Sequence, residues 1–99
     1  MKYKIVKLSK ENDLNRELRK QKREKGEISI LFVSPWDKYC TALMEKLEKR
    51  YDSNVKGGKP LYIVDNYKSS VLPHLVTIKR NKVISEDYLP MVYKNLDLE

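Results

Sequence analysis

One cysteine, one histidine and an aspartate three residues before the cysteine are the side chains of this sequence best suited to chemistry: Cys40, His74 and Asp37. A thiolate is both a nucleophile and a metal ligand, and a helix N-terminus favours its negative charge. A Cys–His pair can run nucleophilic catalysis, and Asp, Cys and His together can hold a metal. With no second cysteine or histidine to complete a tetrahedral site, no metal and no cofactor is expected, and His74 reads as a strand-end residue making an ordinary hydrogen bond. Trp36 and Tyr39 flank the same stretch, Phe32-Val33-Ser34-Pro35-Trp36-Asp37-Lys38-Tyr39-Cys40, and aromatics at a loop suit a binding surface.

The elements on either side must position that stretch. Ile28 to Val33 is almost continuously apolar, as in a central strand covered on both faces. From about Asp37 to Tyr51 the spacing predicts a helix, because Cys40, Leu43, Met44, Leu47 and Tyr51 fall on one face. Its start has two solutions one turn apart. Ser34-Pro35-Trp36-Asp37 is a capping box with Pro at the first helical position, or Asp37 is itself the cap. Lys2 to Leu8 alternates loosely as an edge strand, and its lysines discourage edge-to-edge pairing. Residues 10–25 form a surface helix with a thin apolar stripe, Leu14 and Leu18, between a Ser9 cap and Gly26. Asn54 to Pro60 is a loop and Leu61 to Val64 a second buried strand. Leu72 to Ile78, a turn at Lys79–Lys82 and Val83-Ile84 make a terminal hairpin. Ser85-Glu86-Asp87 is expected to start a last helix, with Pro90 in its first turn and Leu89, Val92, Tyr93 and Leu96 as its buried stripe.

The order strand, helix, strand, helix, strand, strand, strand, helix implies parallel neighbours followed by an antiparallel pair. This order, with Phe32-x-Ser34-x-Trp36-Asp37-x-x-Cys40 at its centre, resembles the thioredoxin family, whose central strand ends in Phe, a small residue and Trp followed at once by Cys-x-x-Cys. The resemblance implies an α/β fold with a central mixed sheet and helices on both faces, as one thioredoxin-like domain over residues 1–99. Only seven residues separate Asp65 from Pro73, so the family's third helix is expected to be lost or shortened. It also implies a cis bond before Pro73 and a surface that docks extended peptide from another protein, here made by Trp36, Asp37, Tyr39, Leu72, Pro73 and His74.

One departure governs the expected activity. The family's nucleophilic cysteine position holds Asp37, and a carboxylate cannot attack a disulfide. The expectation is a protein without dithiol–disulfide activity, not an enzyme, that binds another protein through the Trp36–Cys40 and Pro73 loops. Cys40 lies on the apolar stripe, where free cysteine acts as a small hydrophobe. The alternative is a single-thiol redox protein using Cys40, although monothiol glutaredoxins keep the first cysteine of the motif rather than the second.

Composition bounds the rest. The net charge of +7 is concentrated in residues 16–25, which carry six basic and two acidic side chains. Such a run can contact nucleic acid. The competing reading is a solvated helix face on which Glu17 and Glu24 pair with Lys20, and no aromatics for base stacking interrupt the run. No apolar stretch approaches the roughly 20 residues of a membrane span, and the N-terminus has no hydrophobic signal core. A lone cysteine fits a reducing compartment, and the cytoplasm is the expected location.

Overall fold

The computed structural model describes residues 3–8, 13, 15–17, 19–20, 27–51, 59–65, 72–80 and 82–98. The elements are β1 (Tyr3–Leu8), β2 (Glu27–Phe32), α1 (Lys38–Arg50), β3 (Lys59–Val64), β4 (His74–Lys79), β5 (Lys82–Asp87) and α2 (Met91–Asn95). The described residues between 13 and 20 are helical as well. Ser9, Leu14, Leu18, Gly26, most of the loop expected at 54–60 and the segment 66–71 lie outside the described residues, as do residues 21–25 of the basic run.

The five strands form one mixed sheet in the order β1-β3-β2-β4-β5. β3 is parallel to both β1 and β2, whereas β4 is antiparallel to β2 and to β5. β2 is therefore central, and its apolar sequence follows from covering on both faces. On one face Leu31, Val33, Leu61, Ile63 and Leu75 pack with Cys40, Leu43, Leu47 and Tyr51 of the α1 side and with Val92 and Leu96. On the other, Ile28, Ile30, Tyr62, Val64 and Leu8 form a second cluster. Tyr62 there donates a 3.2 Å hydrogen bond to Glu17 in the first helical stretch, so helices lie on both faces, as expected.

Several boundaries move. The hairpin does not end at Ile84: Ser85, Glu86 and Asp87 pair with Thr77, Val76 and Leu75, so they are strand and not the start of the last helix. Pairing with β4 satisfies backbone groups that a cap at Ser85 would leave to solvent. The helix is reduced to Met91–Asn95, with Pro90 at its cap position, yet its stripe is as expected: Val92 and Leu96 are fully buried and Leu89 and Tyr93 half-buried. β3 starts two residues before Leu61, at Lys59, and β4 starts at His74, after the Leu72–Pro73 dipeptide. The Leu72–Pro73 bond is cis, and so is Leu89–Pro90.

The two helices on the first face are tied by Tyr51. Its ring packs edge-on against Tyr3 at 5.5 Å, and its buried hydroxyl donates a 2.7 Å hydrogen bond to the Leu96 carbonyl. Burial raises the Tyr51 phenol above its ordinary range, so the group stays a donor further into the alkaline range than a free phenol. Tyr51→Phe removes the donor and leaves a buried carbonyl without it. The expected loss is about 1–2 kcal/mol in urea unfolding, with an unchanged m-value.

Candidate functional site

The site lies where β2 hands over to α1. Past Phe32 the chain leaves the ladder, although the Val33 N–H still donates to the Val64 carbonyl at 3.0 Å. Ser34 to Asp37 then forms a turn, closed by the Asp37 N–H on the Ser34 carbonyl at 3.2 Å. Asp37 is the N-cap of α1. Its backbone is extended, and its Oδ1 accepts from the Tyr39 N–H at 2.8 Å and the Cys40 N–H at 3.1 Å. Of the two starts open from sequence, the later is the one adopted. Two charge-assisted bonds to orphan helix donors outweigh the weak 3.4 Å contact from the Trp36 N–H to Ser34 Oγ.

That start sets the direction of each side chain in the turn. Cys40 falls on the inner stripe and is 1% exposed, in contact with the α1 core. Burial pushes its thiol above the ordinary range. A backbone hydrogen bond from Ser34 works against this, while the charge of Asp37 raises the thiol further. A groove of about 380 Å³ between the Val33–Pro35 loop, α1 and the ends of β1 and β3 touches the edge of Cys40, beside Met44 and the 3.1 Å Lys7–Glu48 ion pair. Trp36, by contrast, is 81% exposed and Tyr39 55%, with the Lys38 ammonium 5.2 Å from the Tyr39 ring centre.

The β2–β4 register pairs Phe32 with His74, so the turn and the Leu72–Pro73 dipeptide share one end of the sheet. Leu72 is half-buried against the α1 core, and Pro73 is fully buried, so Pro73 shapes this end from within and offers no surface of its own. His74 does not meet Cys40. Its ring lies against Phe32 at 5.9 Å on the side of the second cluster, stacks on Tyr88 at 4.5 Å, and brings Nε2 to 3.4 Å from Glu86 Oε1 without a hydrogen bond. An Asp37–Cys40–His74 grouping is therefore not formed, because Cys40 and His74 belong to opposite faces.

Tyr88 and Glu86 were not singled out from the sequence. Counted back from a regular hairpin at Lys79–Lys82, His74 would stand opposite Asp87. A bulge between Thr77 and Ile78 shifts the register by one, pairs Leu75 with Asp87, and so brings Tyr88 beside His74.

No protein-family model matches this sequence, and no curated protein matches it. Solved structures do match the fold. The chain is similar to a reduced thioredoxin pre-protein from Schistosoma mansoni (TM-score 0.65, 18% identity, covering 95% of this chain and 96% of that one). It is similar too to a poplar thioredoxin h (TM-score 0.67, 11% identity, 95% and 94% covered) and to the thioredoxin of Trichomonas vaginalis (TM-score 0.63, 19% identity, 95% and 94% covered). The fold is thioredoxin-like, built on a five-stranded mixed sheet.

Two measurements test this geometry. Thiol reagents should label Cys40 slowly in the native protein and fast in denaturant, with Cys40→Ala costing about 1–2 kcal/mol. Because the folded thiol ionises at higher pH than the unfolded one, its share of the stability is complete below the ordinary thiol range and is lost as pH rises through the folded value. Asp37→Ala should cost about 1 kcal/mol by removing the cap, while Asp37→Asn should cost less. Equal losses in thermal or urea unfolding would place the stabilisation elsewhere.

Proposed function

We propose that this protein is a thioredoxin-like binding module without dithiol–disulfide activity, which docks another protein on the end of the sheet formed by the Trp36–Cys40 turn and the Leu72–His74 segment. The observation that carries the reading is the split at the start of α1. The position that would hold a nucleophilic thiol holds the helix cap, Asp37, and the single thiol is buried and hard to ionise, while Trp36, the residue just before the cap, stands 81% exposed. Dithiol exchange needs an accessible thiolate to attack and a second thiol to resolve the mixed disulfide. A solvent-exposed indole is unfavourable to keep in water and is among the side chains that contribute most when a partner covers it. Tyr39 extends the same surface, and half-buried Leu72 and His74 stand at its margin. We place the protein in a reducing compartment, the cytoplasm, on its single unpaired cysteine.

The test separates docking from thiol chemistry. Tagged wild-type protein should retain its partner in the presence of excess reductant, Cys40→Ala should retain it equally, and Trp36→Ala should lose it at an unchanged melting temperature. Insulin-disulfide turnover comparable to that of an intact thioredoxin, or retention that depends on Cys40 and not on Trp36, would overturn the proposal in favour of a single-thiol redox protein.

A further inference from the structure

The sheet has two edges of different character. β1, at one end, carries Lys4 and Lys7, one on each face of the sheet. Lysines on an edge strand discourage edge-to-edge pairing, so this edge resists self-association. β5, at the other end, pairs with β4 alone among the described strands. Its sequence is Lys82-Val83-Ile84-Ser85-Glu86-Asp87, basic at the start, apolar in the middle and acidic at the end. Val83 is 56% exposed and Ile84 52%.

The bulge gives this strand an unusual symmetry. Thr77 pairs with Ser85, Leu75 with Asp87 and Lys79 with Lys82, which puts Lys82, Ser85 and Asp87 on one face. Val76 pairs with Glu86 and Ile78 with Val83, which puts Val83 and Glu86 on the other. Ile84 is the extra residue, and it lines the same groove as Ser85 and Asp87. Alternation is thus broken once, at the centre of the strand. Opposed residues in an antiparallel ladder must share a face. For two copies of β5 about a two-fold axis, the register that satisfies this sets Lys82 against Asp87, Val83 against Glu86 and Ile84 against Ser85.

We propose that the protein self-associates through β5, as a two-fold dimer in which the two five-stranded sheets join edge to edge. The occupant of the edge is a second copy because the strand is complementary to itself: the pairing makes two Lys82–Asp87 contacts and gathers both Ile84 side chains on one face. Met91, 45% exposed on the same groove of about 560 Å³, lies where it extends that apolar contact. The pairing supplies backbone partners along the free edge and covers the two exposed apolar residues of the strand. An edge-to-edge contact of one strand per copy buries little area, so the dimer is a concentration-dependent one.

Sedimentation velocity over a wide concentration range tests this on the full chain. The expected result is a shift from the 11.8 kDa monomer to twice that mass as concentration rises. Lys82→Glu and Asp87→Lys should each weaken association roughly tenfold, by placing like charges opposite at two symmetric positions, and their combination should restore it. Melting temperatures of the variants report whether each remains folded. Independently of any variant, amide exchange at Val83–Glu86 in the wild-type protein should slow as concentration is raised. A chain that stays monomeric throughout, single variants that associate like wild type, a double variant that is not restored, or exchange in β5 that is indifferent to concentration would each overturn the proposal.

Discussion

Two hydrogen bonds to one carboxylate oxygen determine where the main helix begins, and much of the site follows from them. Asp37 Oδ1 takes the N–H groups of Tyr39 and Cys40, satisfying two donors that no helical carbonyl can reach. A helix keeps its phase wherever it starts, so the cap does not choose the buried stripe; it decides that Ser34 to Trp36 stay outside the helix. With the start at Lys38, Cys40, Leu43, Leu47 and the capping residue Tyr51 all turn inward, and Trp36 and Tyr39 turn outward. The cap thus decides where the turn ends and the helix begins, and the spacing of the apolar residues decides which side chains are core.

The same carboxylate defines the electrostatics of the neighbouring thiol. A helix N-terminus ordinarily favours a thiolate, and this one has its positive end already occupied by Asp37. Burial and that adjacent charge act together to keep Cys40 protonated. Burial suits the protonated state: a neutral thiol packs among leucines at no electrostatic cost, where a thiolate would not.

At the other margin of the site, order comes from rings. His74 is held between Phe32 and Tyr88, joining the segment that follows one cis-proline to the residue just before the Leu89–Pro90 dipeptide. Its Nε2 is buried beside Glu86 without a hydrogen bond, so stacking rather than a polar bond sets the ring's position. The chain thus uses short-range aromatic contact to tie together two loops at the end of β4 and β5.

Local pattern in the sequence was enough for the elements of highest periodicity. The α1 stripe, the apolar run of β2 and the resemblance of the Phe32–Cys40 order to a thioredoxin turn were legible because spacing and residue type express burial directly. The cis bond before Pro73 was legible only as an implication of that resemblance. Tertiary structure decided what depends on a partner strand or a choice between near-equal caps. Ser85-Glu86-Asp87 has a helix-start sequence, but β4 offers it a ladder, and pairing prevails. Ser34 and Asp37 both have cap sequences, and the two N–H bonds that Asp37 Oδ1 accepts in the folded turn select the later start. The meeting of His74 with Tyr88, and the shared face of Ile84 and Ser85, depend on a one-residue bulge that no periodicity announces, because a bulge is a property of two strands together and not of either one alone.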